Sequence, residues 1–201
     1  MEIDLILIRH GWSEGNEKRL LYGLLDLPLT EGGKEKLREY RNEYDYPETE
    51  RYYSSPLIRC QQTFHCLYPD KELDGILDGF RELSFGDAEG ESEMYAGGYP
   101  EYFRRWSSGE RLWNGETVHE IRHRVDVAAR ELLSKMAEEG VHSVTVCCHA
   151  GVIKSILMNV GLMGPDFMSV FVHQGMGWRL SFDVDGKDLR LLSSSQVPCE
   201  M

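Results

Sequence analysis

Two short runs of apolar, β-forming residues constrain the fold of this chain more than any other feature. They occupy residues 3–8 and 143–148, and both are nearly continuous in apolar residues and rich in β-formers. Strands that are apolar throughout are typical of a parallel sheet that is buried on both faces. A parallel sheet also needs long connections between its strands, and these are usually helices. The sequence therefore predicts helices on both sides of a central sheet.

Two helices are predicted from local signals in the first third of the chain. A weaker strand over residues 51–54 precedes Ser55 and Pro56, which are typical of an N-cap and a first helical position. The helix that follows is predicted over residues 57–67. Thr30 is the predicted N-cap of another helix. Its apolar positions recur at helical spacing, namely Leu37, Tyr40 and Tyr44.

The longest predicted helix covers residues 117–139. It opens on a capping box between Thr117 and Glu120, and Gly140 supplies a stop. One stripe of apolar residues repeats along it, consisting of Val118, Ile121, Val125, Leu132 and Met136. An apolar helix over residues 152–160 follows the second buried strand.

Strands that alternate with helices predict an α/β fold. We expect three α/β/α layers with a mostly parallel central sheet, in a single domain over residues 1–201. Residues 178–184 and 189–193 flank a turn and predict a closing hairpin. Residues 86–116 fit neither period and are predicted to form an inserted lid. Its aromatic residues could be subdomain core or substrate contacts, and they are Tyr95, Tyr99, Tyr102, Phe103, Trp106 and Trp113.

Composition narrows the classes of partner. The chain has 201 residues and a net charge of −12, which disfavours nucleic acid and anionic membrane surfaces. It has no long apolar run and no basic, apolar start of the secretory kind. Its five cysteines contain no C-x-x-C pair, so we expect a reducing, cytoplasmic setting. No coiled-coil pattern or exposed apolar stripe indicates a protein partner, and a homodimer remains one possible assembly.

Charged and nucleophilic residues follow the two buried strands. Arg9 and His10 come where the first strand ends, and His149 comes where the second ends. Ligands of open parallel sheets bind at the carboxyl ends of strands, near helix N-termini. The free N–H groups after His149, beginning with Ala150, can receive an anion. Arg59, in the first turn of its helix, faces the positive end of the helix dipole, which is unfavourable unless an anion compensates.

A cationic pocket around a histidine suits phosphoryl transfer. Positioned cations stabilise the negative charge that spreads over the phosphoryl oxygens. A neutral imidazole is a competent nucleophile, and nearby arginines favour its neutral form. The departing alkoxide needs a proton, and Glu82 is placed to supply it. The predicted substrate is a small phosphorylated metabolite.

At these residues the sequence resembles the histidine phosphatase superfamily, which includes the cofactor-dependent phosphoglycerate mutases. Six ordered motifs carry the resemblance, at residues 9–16, 23–33, 55–63, 81–90, 115–117 and 149–154. The resemblance implies a phosphohistidine at His10, with Glu82 as the acid and later the base that activates water. It implies a phosphate site without metal or organic cofactor, formed by Arg9, Asn16, Arg59 and His149.

The short chain and the sequence around Glu82 look more like the phosphatase branch, with alpha-ribazole phosphatase and broad-specificity enzymes, than like the mutases. The resemblance thus implies a phosphoglycerate mutase-like, histidine acid-type phosphatase. Mutase-type transfer is the alternative, since it differs mainly in what accepts the phosphoryl group. Trp12 and Ala88 depart from the usual residues and are expected to border the pocket.

Two other classes of function compete with this interpretation. Residues 119–123 spell H-E-x-x-H, the pattern of a helical zinc hydrolase, with Glu139 or His142 as a conceivable third ligand. However, the capping box already explains Glu120, and the two histidines lie away from the apolar stripe. A binding module without catalysis is the other alternative. The retained nucleophile, cations and acid argue against it.

Overall fold

The structure is a computed structural model, which describes residues 1–94 and 97–200. Within these residues, a six-stranded sheet has the order β4-β3-β5-β1-β6-β7. Its strands are β1 (Glu2–Arg9), β3 (Arg51–Ser54), β4 (Gly75–Ile76), β5 (Ser143–Cys148), β6 (Gly177–Asp185) and β7 (Asp188–Val197). Strands β1, β3, β4 and β5 run parallel to one another. Strand β6 runs antiparallel to both of its neighbours, β1 and β7. A separate pair joins β2 (Tyr44–Asp45) to β8 (Cys199–Glu200).

Helices connect and cover the strands. They are α1 (Glu14–Glu17), α2 (Glu31–Glu43), α3 (Ile58–Leu67), α4 (Gly98–Ser107), α5 (Val118–Glu139) and α6 (Ala150–Asn159). Short 3-10 turns occur at Asp78–Phe80 and Gly86–Ala88. No helix in the described ranges combines the length and apolarity that a membrane span requires.

The three layers follow from the alternation of side chains along β1. Leu5 and Leu7 point into a core cluster that also contains Val125 of α5 and Ile153 of α6. Ile6 and Ile8 point to the other face, into a cluster with Leu37 of α2 and Phe64 of α3. Both faces of the strand are therefore covered by helices, and the predicted α/β/α architecture is confirmed.

The predicted caps are confirmed at two helices and wrong at a third. Thr30 accepts the Gly33 amide at the start of α2, and Thr117 and Glu120 form the capping box of α5. The helix predicted from Ser55 and Pro56 begins instead at Ile58, with Leu57 as an N-cap that makes no side-chain cap bond. Ser55 lies two residues before the observed N-cap, and its hydroxyl accepts the Leu57 amide at 3.4 Å instead of an amide of the helix.

The 86–116 segment contains a helix that the sequence analysis did not predict. Tyr102 and Trp106 of α4 are almost fully buried and belong to the main core. Tyr99 and Phe103 lie on another side of α4 and are only partly buried. The aromatic residues therefore divide between core and a more open face. Tyr95 lies outside the described residues, and the lid role of this segment stays a prediction.

Candidate active site

The parallel pairing of β1 and β5 brings the two histidines together. Arg9 is in register with Cys148, and the His10 amide donates to the Cys148 carbonyl over 2.9 Å. The residue after each strand is a histidine, and the ring centroids of His10 and His149 are 5.3 Å apart. The topology of the sheet, rather than local sequence, thus joins residues that are distant in the chain.

His10 is held as a neutral imidazole with one defined tautomer. Its Nδ1 lies 2.8 Å from the Gly11 carbonyl oxygen, which can only accept, so Nδ1 carries the proton. Nε2 is therefore left with a lone pair. Burial, together with the nearby Arg59 and Arg9 guanidinium groups, holds the pKa of His10 well below its usual range. Such an imidazole is a nucleophile at neutral pH.

The guanidinium groups of the half-buried Arg9 and the fully buried Arg59 flank His10 without a carboxylate partner in the part of the chain that the structure describes. Arg9 donates from Nη1 to the Val172 carbonyl at 2.5 Å. Arg59 donates to the carbonyls of Leu25 and Gly23, at 3.1 and 2.7 Å. The Nε atoms of both arginines are buried and have no hydrogen-bond partner. Buried charges without partners are costly, so these atoms indicate an anion site.

A loop fixed by Glu89 holds Arg59 in this position. The Glu89 carboxylate accepts the backbone amides of Gly23, Leu24 and Leu25, at 2.8, 3.0 and 3.2 Å. The carbonyls of the same loop accept from Arg59. A Cβ at position 23 would lie 1.7 Å from the Leu83 carbonyl oxygen, so only glycine fits there. Glu89 therefore orients Arg59 through the backbone.

Glu82 has the environment of a protonatable acid. Burial raises the pKa of its carboxyl group, against hydrogen bonds from Leu83 and Gly151 and the charge of Arg59. Oε1 accepts the Leu83 amide at 2.9 Å, and Oε2 accepts the Gly151 amide at 3.3 Å. The second contact ties the carboxyl group to the first turn of α6.

His149 is fully buried, and side chains that precede and begin α3 contact its ring. Its Nε2 lies 2.7 Å from the Ser55 hydroxyl and 3.4 Å from the Cys60 thiol. Burial first, then Arg59 and His10, place the pKa of His149 well below its usual range. The ring is thus neutral, which avoids repulsion with the two arginines.

Asn16 and Ala150 complete the predicted set. The side-chain Oδ1 of Asn16 accepts from the Ser13 amide at 3.1 Å, as part of a capping box. The side-chain NH₂ group of Asn16 is left to donate elsewhere. Both the turn-capping and the ligand interpretation of Asn16 are therefore compatible with its geometry. Ala150 is the first residue of α6 and lines the cavity, so the N-terminus of this helix lies at the site.

A cavity of about 530 Å³ opens at this edge of the sheet. Of the predicted residues, those that line it are Arg9, His10, Asn16, Glu82 and Ala150. Arg59 and His149 are fully buried and are not among the residues that line it. Carbonyls of the 23–25 loop accept from Arg59, and the Ser55 hydroxyl contacts His149. Trp12 borders the cavity as expected, but Ala88 does not, since it is fully buried in the core.

Several residues at the site were not singled out from the sequence. The guanidinium carbon of Arg59 lies 5.0 Å from the centroid of the Tyr22 ring. The Ser13 hydroxyl donates to the Tyr22 hydroxyl over 2.9 Å. Lys154 of α6 reaches the cavity, although the sequence marked it only as part of a motif. The cavity also has an aromatic wall, which consists of Tyr99, Phe103, Phe167 and Phe171. The sequence named Tyr99 and Phe103 as possible substrate contacts, whereas nothing in it connected Phe167 and Phe171 to them.

The H-E-x-x-H residues do not assemble a metal site. His119 and His123 are exposed on α5. Glu120 accepts the Thr117 amide and pairs with Arg111 at 2.6 Å. No group of three or more His, Cys, Asp or Glu side chains within residues 1–94 and 97–200 is arranged to hold a metal ion.

A three-layer fold with paired histidines and unpartnered arginines at the carboxyl edge of its sheet defines a phosphoryl-transfer protein. The profile of the histidine phosphatase superfamily (branch 1) matches residues 5–194. The chain therefore belongs to this superfamily, whose enzymes include phosphatases and mutases.

Individual relatives agree with this membership. A broad-specificity phosphatase of Saccharomyces cerevisiae is 29% identical over 77% of this chain and 69% of its own length. Phosphoserine phosphatase 1 of Hydrogenobacter thermophilus is 30% identical over 82% and 78%. The alpha-ribazole phosphatase structure from Shigella flexneri shares the fold, with a TM-score of 0.71 at 24% identity over 94% and 95%. Phosphoglycerate mutases also match.

Proposed function

We propose that this protein is a phosphomonoester hydrolase that forms a phosphohistidine on Nε2 of His10. The observation that carries the proposal is the pair of buried, unpartnered guanidinium Nε atoms of Arg9 and Arg59 beside a neutral imidazole. A phosphate ester supplies the anion that these donors lack. It also supplies the electrophile that Nε2 can attack.

The reaction proceeds in two displacements. In the first, the Nε2 lone pair attacks phosphorus, the ester P–O bond breaks, and the leaving oxygen takes the proton of Glu82. In the second, Glu82 takes a proton from water, whose oxygen displaces the phosphoryl group from Nε2 as inorganic phosphate. The proposed ligands of the phosphoryl oxygens are Arg9, Arg59, His149, Asn16 and the amide of Ala150.

The test combines turnover with detection of the phosphoenzyme. We expect the wild-type protein to hydrolyse 4-nitrophenyl phosphate and, after a rapid acid-free quench, to carry an acid-labile phosphoryl group. His10→Gln should lose both, whereas the matched change His119→Gln on the exposed face of α5 should keep both. Turnover by His10→Gln at the wild-type rate would overturn the mechanism. Loss in His119→Gln together with loss of bound zinc would favour the metal hydrolase.

Matches to phosphoglycerate mutases support mutase-type transfer as a second candidate. The two activities differ in the acceptor of the phosphoryl group. Incubation with 3-phosphoglycerate distinguishes them, because a phosphatase releases inorganic phosphate and a mutase forms 2-phosphoglycerate. We expect phosphate as the main product.

We also propose that the protein works in a reducing compartment. The five cysteines are free thiols, and four of them are buried. This agrees with a cytoplasmic enzyme that acts on small phosphorylated molecules. The homodimer stays a prediction.

A further inference from the structure

Lys154 is a buried cation in the cavity that the proposed chemistry does not use. It is 8% exposed, and its ammonium donates to the Phe167 carbonyl over 2.9 Å. It forms no ion pair with a carboxylate among the residues that the structure describes. Two of its three N–H bonds therefore lack a protein acceptor there. Lysine is rarely buried without a partner, so the site is incomplete on its own.

The position of Lys154 on α6 relates it to the phosphoryl site. Ala150 and Lys154 are four residues apart, so they share a face of the helix and lie about 6 Å apart along its axis. Helical side chains lean towards the N-terminus, which directs the lysine towards the phosphoryl end of the cavity. The ammonium thus faces the space that a leaving group would occupy.

The wall beside Lys154 is aromatic. Its Nζ lies 4.9 Å from the Phe167 ring centroid. The Phe167 ring stacks on Phe103 with centroids 5.1 Å apart, and Phe103 stacks on Tyr99 at 5.7 Å. A continuous aromatic surface of this kind binds the apolar body of a ligand. Burial also lowers the pKa of Lys154 to about 8, which a bound anion would reverse.

We infer that Lys154 and the aromatic wall form a second subsite, which selects phosphate esters whose apolar leaving group carries an additional carboxylate. This inference rests on the proposed function and specifies its substrate class. The ammonium binds the carboxylate, the rings of Tyr99, Phe103 and Phe167 contact the apolar body, and the phosphoryl group lies at His10. Lys154 is then a specificity-determining residue that takes no part in bond cleavage.

The experiment compares two isosteric esters, 3-carboxyphenyl phosphate and 3-carbamoylphenyl phosphate, with phenyl phosphate as reference. They differ in one charge, so the ratio of their kcat/KM values isolates the carboxylate. We expect the wild-type protein to prefer the carboxylate ester about tenfold, as one charge-assisted contact allows. Lys154→Met should abolish the preference, and Lys154→Arg, which retains the charge, should keep most of it.

Lys135→Met is the matched control, because Lys135 is an exposed lysine of α5 outside the cavity. It should leave the ratio unchanged. A purely structural role for Lys154, through the Phe167 carbonyl, would lower turnover of all three esters equally and overturn the inference. A wild-type ratio near one would overturn it without reference to any variant.

Failure of the proposed function looks different. If the wild-type protein turns over none of the three esters, the phosphatase assignment falls and the subsite falls with it. If phenyl phosphate is hydrolysed and the carboxylate confers no advantage, only the subsite is refuted.

Discussion

The amide of Gly151 donates to Oε2 of Glu82 over 3.3 Å, and a Cβ at position 151 would lie 2.2 Å from Oε1 of the same carboxyl group. The proposed acid is therefore packed directly against the backbone of α6. A larger residue at position 151 would therefore displace the Glu82 carboxyl group, although the backbone angles there do not demand glycine. The same helix turn presents Ala150 to the cavity, so acid and phosphoryl ligands share one support.

Gly151→Ala should displace the Glu82 carboxyl group and impair proton donation. We expect kcat for an alkyl phosphate to fall by about 10²-fold, since general acid catalysis contributes about 10²–10⁴-fold. The loss with 4-nitrophenyl phosphate should be much smaller, because nitrophenolate leaves without a proton. Steady-state kinetics on the two esters checks this. Gly32→Ala in α2, where an added Cβ meets nothing within 4 Å, is the control. Equal losses on both esters would argue against the acid role.

Arg59→Met should weaken product inhibition by inorganic phosphate. Removal of one charge-assisted donor corresponds to about 1.5–3 kcal/mol, or an increase of about 10–150-fold in the inhibition constant. Arg59→Lys should recover only part of the affinity, because an ammonium lacks the planar fork. Arg190→Met, on an exposed arginine of β7, should leave inhibition unchanged. An unaltered constant in Arg59→Met would place this guanidinium outside the phosphate site.

The neutral His10 and His149 should make folding stability depend on pH. Their pKa values lie well below the usual range in the folded state, and the unfolded chain restores them to about 6.5. As the pH falls below about 6.5, the unfolded chain gains protons that the folded chain does not. The free energy of unfolding should then decrease by up to about 1.4 kcal/mol per pH unit for each histidine.

Urea denaturation at several pH values between 7 and 5 measures this slope. His149→Asn should make the slope shallower than in the wild-type protein. His123→Asn, which changes an exposed histidine of α5, should reproduce the wild-type slope. A slope that is insensitive to His149→Asn would show that this histidine takes up a proton in the folded state.

Glu120→Gln separates the capping role of this residue from a catalytic one. Arg111 and the Thr117 amide lower the pKa of Glu120 to about 2, so its carboxylate is charged at neutral pH. Glutamine keeps the oxygen that accepts the Thr117 amide, so the cap stays and only the exposed ion pair with Arg111 is lost. The free energy of unfolding should therefore fall by at most about 1 kcal/mol. Phosphatase activity should stay at the wild-type level. A zinc hydrolase would instead lose its general base, so an inactive but folded variant would contradict our interpretation.

The sequence predicted best the strands that are buried on both faces, because their composition is largely apolar. The strand over residues 143–148 is predicted with its observed bounds, and β1 differs from its prediction by one residue at each end. Because both are parallel and adjacent, the residues that follow them must meet. The sequence alone could place His10 and His149 at one edge of the sheet, and the structure adds that their strands are neighbours.

Other features depend on contacts that no local pattern encodes. Ser55 has the local sequence of a helix cap, yet its hydroxyl lies against His149, which is 94 residues away. Arg59 is turned by carbonyls that Glu89 fixes, and this relation appears only after folding. The helix α4 did leave a signal, since Tyr99, Tyr102, Phe103 and Trp106 recur at helical spacing. Neighbouring glycines and Pro100 obscured it.

The two sides of α4 differ in how well they tolerate substitution. Tyr102 and Trp106 are anchored in the core, so any replacement there is penalised by loss of folding stability. Tyr99 and Phe103 face the cavity and can be exchanged at smaller cost. A lineage could therefore acquire a new substrate by changing two side chains on one helix while its scaffold stays intact.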